Sequence, residues 1–158
     1  MKSLTKKITY AGVTAALYAA LTFIFSFMSF GAVQFRISEA LCVLVYFTPA
    51  AIPGLTIGCL ISGLLSGASV YDILFGTLAT FIGAVGGYLL RKHPLLVSIP
   101  TIAANTIIVP RILKYAYAAE EAVPYMMLTV GIGELVCAGI LGTALLFSLK
   151  KIAPHIFE

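Results

Sequence analysis

The sequence predicts an all-α integral membrane protein with six transmembrane helices in a single domain, residues 1–158. The first observation is composition: 61% of the residues are hydrophobic and 10% are charged, whereas soluble domains average about 25% charged residues. The second is length, because a transmembrane helix needs about 20 apolar residues, so six helices leave room only for short loops. The third is the placement of the basic residues at predicted helix ends, which indicates membrane topology rather than binding of nucleic acid.

The first three helices are predicted from one long apolar run and two shorter ones. The run 8–28 exceeds the usual 7–15-residue core of a signal peptide and has no small-residue cleavage site, so we expect it to be retained as a span. The second helix, 38–47, is short because Pro49 and Pro53 follow it. The third helix, 52–65, carries small residues at four-residue steps, which we assign to packing within the bundle.

The last three helices are separated by polar or charged connections. The fourth, 70–90, has Asp72 in its first turn and Ser69 as a possible cap, and a carboxylate there is favoured by the helix dipole. A basic turn separates it from the fifth helix, 95–113. The sixth helix, 125–149, is ended by a pair of lysines.

The distribution of basic residues predicts a multi-pass protein of the cell membrane with both termini in the cytoplasm. Cytoplasmic loops carry an excess of Lys and Arg. With the N-terminus inside, seven of the ten basic residues lie on the cytoplasmic side, namely Lys2, Lys6, Lys7, Arg91, Lys92, Lys150 and Lys151. This topology places Arg36, Glu39 and Asp72 toward the outer side.

Alanines recur every four residues along the first helix, at Ala11, Ala15 and Ala19. In lipid, such a ridge of small side chains lets another helix approach closely. The spacing is equally compatible with packing inside the chain and with docking of another protein.

Glu134 is the sharpest indication of a functional site. A carboxylate in mid-span costs several kcal/mol unless it is paired, protonated or hydrated, so it marks a site by default. Asn105 lies at a matching depth of about 15 Å on the preceding helix, so the two side chains can converge on one small molecule. The alternatives are a protonated structural carboxyl for Glu134 and a hydrogen bond to a helix backbone for Asn105.

Further candidates lie toward the outer end of the predicted bundle. Arg36 and Glu39 are three residues apart, so on a helix they would share one face and either pair with each other or bind a ligand together. Asp72 is either a residue that starts a helix or a ligand-binding carboxylate. Phe35 and Tyr71 fit the aromatic belt at a membrane surface, and one of them could instead stack on a flat ligand.

The sequence contains no motif typical of an enzyme or a metal site. It contains no Ser/His/Asp set, no HExxH and no phosphate loop, so we expect neither an enzyme nor a cofactor. The three cysteines, Cys42, Cys59 and Cys137, are isolated in apolar runs without the spacing of metal ligands. We expect them to be buried free thiols and expect no metal site.

The chain resembles the substrate-binding (S) components of energy-coupling factor (ECF) vitamin transporters, and more specifically the QueT family of predicted queuosine-precursor transporters. The most specific segment is 34–41, and 72–77, Asn105 with Val109-Pro110, and Gly133-Glu134 also match. The resemblance implies an S-component-like bundle with a site that opens outward and is covered by the loop after the first helix. It also implies a transmembrane coupling subunit, which would dock on the alanine ridge, and two ATPase subunits.

The resemblance implies a 7-deazaguanine ligand, either 7-aminomethyl-7-deazaguanine or queuine. Glu134 would accept the two donors on the guanine-like edge, with Asn105 beside it. Glu39 is the first candidate for the ligand's amine and Asp72 the second, while Arg36 would hold Glu39 or donate to the ring carbonyl. Two alternatives remain: an S component for another vitamin such as riboflavin, pantothenate or a thiamine precursor, and a stand-alone ion-coupled carrier.

Overall fold

The computed structural model describes residues 4–29 and 34–157, with side chains up to residue 153, and every regular element in these residues is helical. The predicted all-α class is therefore confirmed. In chain order the elements are α1 (Leu4–Ile24), α2 (Ser26–Ser29), a 3-10 helix (Ile37–Tyr46), α3 (Ala51–Leu65), α4 (Val70–Leu89), a 3-10 turn (Pro94–Leu96), α5 (Ile99–Ala116), α6 (Val123–Glu134), a π-helical segment (Leu135–Leu141) and α7 (Gly142–Phe157).

Four stretches of helix in the described residues are long and apolar enough to cross a membrane. The helices that correspond to the second and third predicted spans have only 10 and 15 residues, fewer than the 17–25 that a spanning helix usually needs. Length and composition thus support four spans and do not by themselves establish the predicted six. The four stretches are Leu4–Ile24, Val70–Leu89, Pro94–Ala116 and Val123–Ala153.

The 3-10 helix forms the centre of the bundle. It packs against α1, α3, α4, the π-helical segment and α7, so side chains on all its sides are buried. At a rise of about 2.0 Å per residue, its ten residues extend over roughly 20 Å. Its buried residues are Ser38, Glu39, Ala40, Leu41, Cys42, Val43 and Val45.

The predicted sixth helix is one continuous rod whose pitch changes directly after Glu134. α6 ends at Glu134, the π-helical segment follows without a break, and α7 continues to Phe157, eight residues beyond the predicted end at Leu149. Seven residues have π geometry, which usually occurs as single-turn bulges and often at functional sites. The change in pitch begins next to Glu134 and is one more indication that this residue belongs to a functional site.

Two glycines of α3 allow α1 and α3 to touch backbone to backbone. A Cβ atom added to Gly58 would lie 2.9 Å from the carbonyl oxygen of Ala15 and 2.7 Å from Cβ of Tyr18. One added to Gly54 would lie 2.8 Å from the carbonyl oxygen of Ala11. Contacts this short exclude any side chain larger than hydrogen, so the two glycines set the distance between the helices.

Candidate functional site

Three buried polar side chains from three different elements converge in the core. Glu39 comes from the 3-10 helix, Asn105 from α5 and Glu134 from the last position of α6, and their exposed fractions are 1%, 0% and 4%. Asn105 lies close to both carboxylates, and the negative charge of Glu39 acts on Glu134. The sequence predicted that Asn105 and Glu134 would converge; in the structure they do, and Glu39 joins them.

Hydrogen bonding within this cluster is incomplete. Neither polar atom of the Asn105 side chain has a hydrogen-bond partner in the described residues, and the same is true of Oε2 of Glu134. Asn105 is close to the carboxylates, but its contacts with them lack hydrogen-bond geometry. A buried polar group without a partner costs about 1–3 kcal/mol, so the cluster can gain free energy by binding a polar ligand.

Glu39 is held by a tyrosine that the sequence analysis missed. The hydroxyl of Tyr18 on α1 donates to Oε1 of Glu39 at 2.5 Å, and one turn further along α1 Thr22 donates to the hydroxyl of Ser38 at 2.8 Å. Thr14, Tyr18 and Thr22 are all buried. Their four-residue spacing places these hydroxyl side chains on one face of α1, and this repeat was the signal that could have revealed an inward-facing polar stripe.

Arg36 and Asp72 form a buried ion pair at the N-terminal end of α4. Nη2 of Arg36 lies 3.7 Å from Oδ1 of Asp72, and both side chains are less than a tenth exposed. The hydroxyl of Tyr117 donates to Oδ2 of Asp72 at 2.9 Å and accepts from the backbone N–H of Ser69 at 3.1 Å. Ser69 also accepts from the backbone N–H of Asp72 at 3.2 Å, which confirms the predicted cap.

Arg36 and Glu39 do not share a helical face, because the 3-10 helix begins at Ile37 and Arg36 precedes it in extended backbone. Arg36 instead reaches across to α4, where it pairs with Asp72. Its positive charge also acts on Glu39 and Glu134. Arg36 thus interacts both with the central cluster and with Asp72.

The extended segment 34–36 lies directly on α6. A Cβ atom added to Gly133 would overlap the carbonyl oxygen of Gln34, so only glycine permits this approach. The backbone N–H of Phe35 donates to the carbonyl of Met28 at 2.8 Å, which ties the segment to α2. Gly133 therefore contacts the backbone of segment 34–36, and the next residue, Glu134, supplies a carboxylate of the candidate site. The sequence did not predict the contact at Gly133.

A small cavity lies beside the Arg36–Asp72 ion pair. Its volume is about 20 Å³ and its lining includes Tyr18, Arg36, Cys59, Asp72 and Gly76. This space holds about one water molecule and is too small for a fused-ring base. A ligand of that size therefore does not fit into this cavity unless its lining moves apart.

The two predicted stacking aromatics have different surroundings. Phe35 is half-buried and belongs to the segment that packs on α6. Tyr71 is 63% exposed and lines a groove on the outside of α4 and α5 with Arg111 and Tyr115. The structure thus brings Glu39, Asn105 and Glu134 together, links them to Arg36 and Asp72, and leaves Tyr71 outside. The predicted covering loop falls largely on residues 30–33, outside the described residues.

The alanine ridge of α1 is mostly occupied by contacts within the chain. Ala15 is buried where α1 meets α3, and Ala11 and Ala19 are half-buried. This supports the internal-packing alternative for Ala15. The exposed small residues of α1 are instead Gly12, Ala16 and Ala20.

Comparison with known sequences identifies relatives of the chain. The sequence model of a family described as QueT transporter matches residues 8–151. The queuosine precursor transporter QueT of Lactococcus lactis subsp. cremoris (strain MG1363) is 41% identical over 91 residues, which cover 56% of this chain and 53% of that relative. The chain therefore matches about half the length of this curated relative. No solved structure matches the chain.

Proposed function

The chain belongs to the QueT transporter family, and from this premise we propose that it is the S component of an ECF-type importer that takes up a queuosine precursor. The protein is a transporter and not an enzyme. The Lactococcus lactis relative is a queuosine precursor transporter, which supports the substrate class. The incomplete hydrogen bonding at Asn105 and Glu134 supports a binding site at the centre of the bundle.

The ligand proposed for this site is 7-aminomethyl-7-deazaguanine or queuine. Its guanine-like edge carries two adjacent donors, and a carboxylate accepts two such donors in a bidentate pair that is strong in a dry site. Glu134 has an unpartnered oxygen for this role. Asn105 offers a donor and an acceptor to the same edge.

The ligand's amine requires a second carboxylate, and the contacts favour Glu39 over Asp72. The two oxygens of Asp72 are engaged by Arg36 and Tyr117. Glu39 lies beside Asn105 and within the electrostatic reach of Glu134, so its carboxylate and the edge-binding carboxylate can contact one molecule. Arg36 then balances the charge of Glu39 or donates to the ring carbonyl.

Stacking on the flat ring falls to Phe35 rather than Tyr71. Phe35 lies in the segment that contacts α6 next to Glu134, whereas Tyr71 is exposed on the outside of α4. The cavity beside Asp72 holds about one water, so a ligand that passes this end of the bundle would enter when segment 34–36 and the Tyr117 contact separate from α4. These contacts then close again over the bound ring.

As an S component, the chain would act in the cell membrane as a six-helix bundle with both termini cytoplasmic. The 3-10 helix and α3 supply the two shorter helices of the six. A transmembrane coupling subunit and two ATPase subunits supply the energy, and the coupling subunit docks on the exposed small residues of α1. This face offers close approach because its members are Gly12, Ala16 and Ala20.

Uptake of radiolabelled 7-aminomethyl-7-deazaguanine tests this proposal. Cells that lack their own transporter would express the chain either alone or with an ECF coupling subunit and its ATPases. We expect uptake only with the complete module, and co-purification of the chain with that module. Uptake by the chain alone in liposomes would identify a stand-alone carrier instead, and uptake of riboflavin or pantothenate in place of the deazaguanine would identify another vitamin transporter.

A further inference from the structure

Tyr18 connects the ligand site with the contact between α1 and α3. Its side chain is 1% exposed, and its hydroxyl donates to Glu39. At the other end of the same side chain, the Cβ atom of Tyr18 packs against Gly58. A Cβ atom added to Gly58 would lie only 2.7 Å from it. One residue therefore touches both the carboxylate of the site and the point where two helix backbones meet.

We propose that Tyr18 is a positioning residue: it fixes the carboxylate of Glu39 for the ligand, and the α1–α3 contact at Gly58 fixes Tyr18. This inference rests on the proposed function and assigns a role to a residue that does not itself bind the ligand. A tyrosine has few rotatable bonds, so a shift of its backbone is carried to its hydroxyl. Because Gly58 has no side chain, the backbone of α1 at Tyr18 can lie directly against α3.

The same geometry gives α1 a way to influence the site. The exposed residues Gly12 and Ala16 and the buried residue Tyr18 lie on different faces of one helix. A partner that moves α1 against α3 would shift the Tyr18 hydroxyl relative to Glu39. Movement of α1 therefore changes the affinity for the ligand, although the partner does not contact the ligand.

The test is a double-mutant cycle on binding of 7-aminomethyl-7-deazaguanine to the purified chain. Tyr18→Phe removes the hydroxyl and keeps the ring, so the Glu39 side chain must be ordered when the ligand binds, and we expect binding to weaken about tenfold. In a Glu39→Gln background the acceptor is neutral and its hydrogen bond about half as strong. The same change should then weaken binding only about threefold.

A backbone variant tests the second half of the proposal. Gly58→Ala places a methyl group against Tyr18, and we expect a loss of binding that shrinks when Tyr18→Phe is already present. Gly139→Ala is the matched control, because its methyl group would make an ordinary 3.6 Å contact with Ile102. Equal losses from Tyr18→Phe in both Glu39 backgrounds, or normal binding by Tyr18→Phe, would overturn the inference. Failure of the wild-type chain to bind the probe would overturn the proposed function and this inference with it.

Discussion

Asn105 is fully buried on a membrane-spanning helix, yet neither polar atom of its side chain has a partner in the described residues. An apolar side chain of similar size would avoid the cost of that burial, which is about 1–3 kcal/mol. Asn105 therefore lowers the stability of the ligand-free protein, as expected for a residue whose hydrogen-bond partner is a ligand. Of the two roles that the sequence left open for Asn105, the unpartnered side chain supports ligand binding over a hydrogen bond to a helix backbone.

Replacing Asn105 with leucine should therefore stabilise the ligand-free protein while weakening binding. We expect the free energy of unfolding to rise by about 1 kcal/mol and binding of 7-aminomethyl-7-deazaguanine to fall by at least about tenfold. Thermal unfolding in detergent and equilibrium titration measure the two effects. A loss of stability would instead show that the amide holds a helix backbone.

Sequence reasoning found the charged residues of the site but not the hydroxyl groups that hold them. Glu134, Asn105 and Glu39 stand out because polar side chains are rare in apolar spans. Tyr18 and Tyr117 do not, since tyrosine is common at membrane interfaces and its partners depend on contacts between distant elements. The hydrogen bonds of Tyr18 to Glu39 and of Tyr117 to Asp72 span 21 and 45 residues of sequence.

At the scale of elements, the contact between α6 and segment 34–36 determines where Arg36 and Phe35 lie. Gly133→Ala would force a methyl group into the carbonyl of Gln34. Overpacking of this kind costs about 1–3 kcal/mol, so we expect lower thermal stability and weaker ligand binding.

Gly131→Ala is the matched control for this change, two residues earlier on α6. Its methyl group would lie 3.4 Å from the nearest side-chain atom, a methyl of Thr106, so binding and unfolding temperature should stay near those of the wild type. Equal behaviour of the two variants would show that segment 34–36 does not depend on Gly133.

Helix type was harder to predict than helix position. The predicted bounds 38–47 and 125–149 fall close to observed helices, but the 3-10 and π geometries were not anticipated. Helical periodicity is read from the alternation of apolar and polar faces. The 3-10 helix has only ten residues, which are too few to separate its period of 3.0 residues per turn from the 3.6 of an α-helix.

At the scale of the whole molecule, the number of spans depends on more than length. Composition correctly predicts a helical membrane protein, but within residues 4–29 and 34–157 four helical stretches meet the length of a span and two apolar helices are shorter. Short helices can complete a bundle when their neighbours cover them, as α1 and α4 cover the 3-10 helix. Such packing is a property of the folded bundle and cannot be read from a window of residues.

The docking face of α1 gives a prediction for the assembled transporter. A side chain added at Gly12 meets no atom of the described chain within 4 Å. Gly12→Leu should therefore leave ligand binding by the purified chain unchanged while it reduces co-purification with the coupling subunit and uptake by at least about tenfold. Ala103→Leu, at an exposed position of α5, is the control and should affect neither. Full uptake with Gly12→Leu would show that the coupling subunit docks on another surface of the chain.

The most direct test of the account is the affinity of the purified chain for 7-aminomethyl-7-deazaguanine, measured for the wild type, Glu134→Gln and Glu120→Gln. Glu134 is buried with an unpartnered oxygen, whereas Glu120 is exposed. We expect Glu134→Gln to weaken binding by at least about tenfold, because an amide NH₂ replaces one of the two acceptor oxygens for the ligand's edge donors. Glu120→Gln should bind like the wild type. Normal binding by Glu134→Gln, or a wild type that binds a flavin or pantothenate but no 7-deazaguanine, would contradict the account.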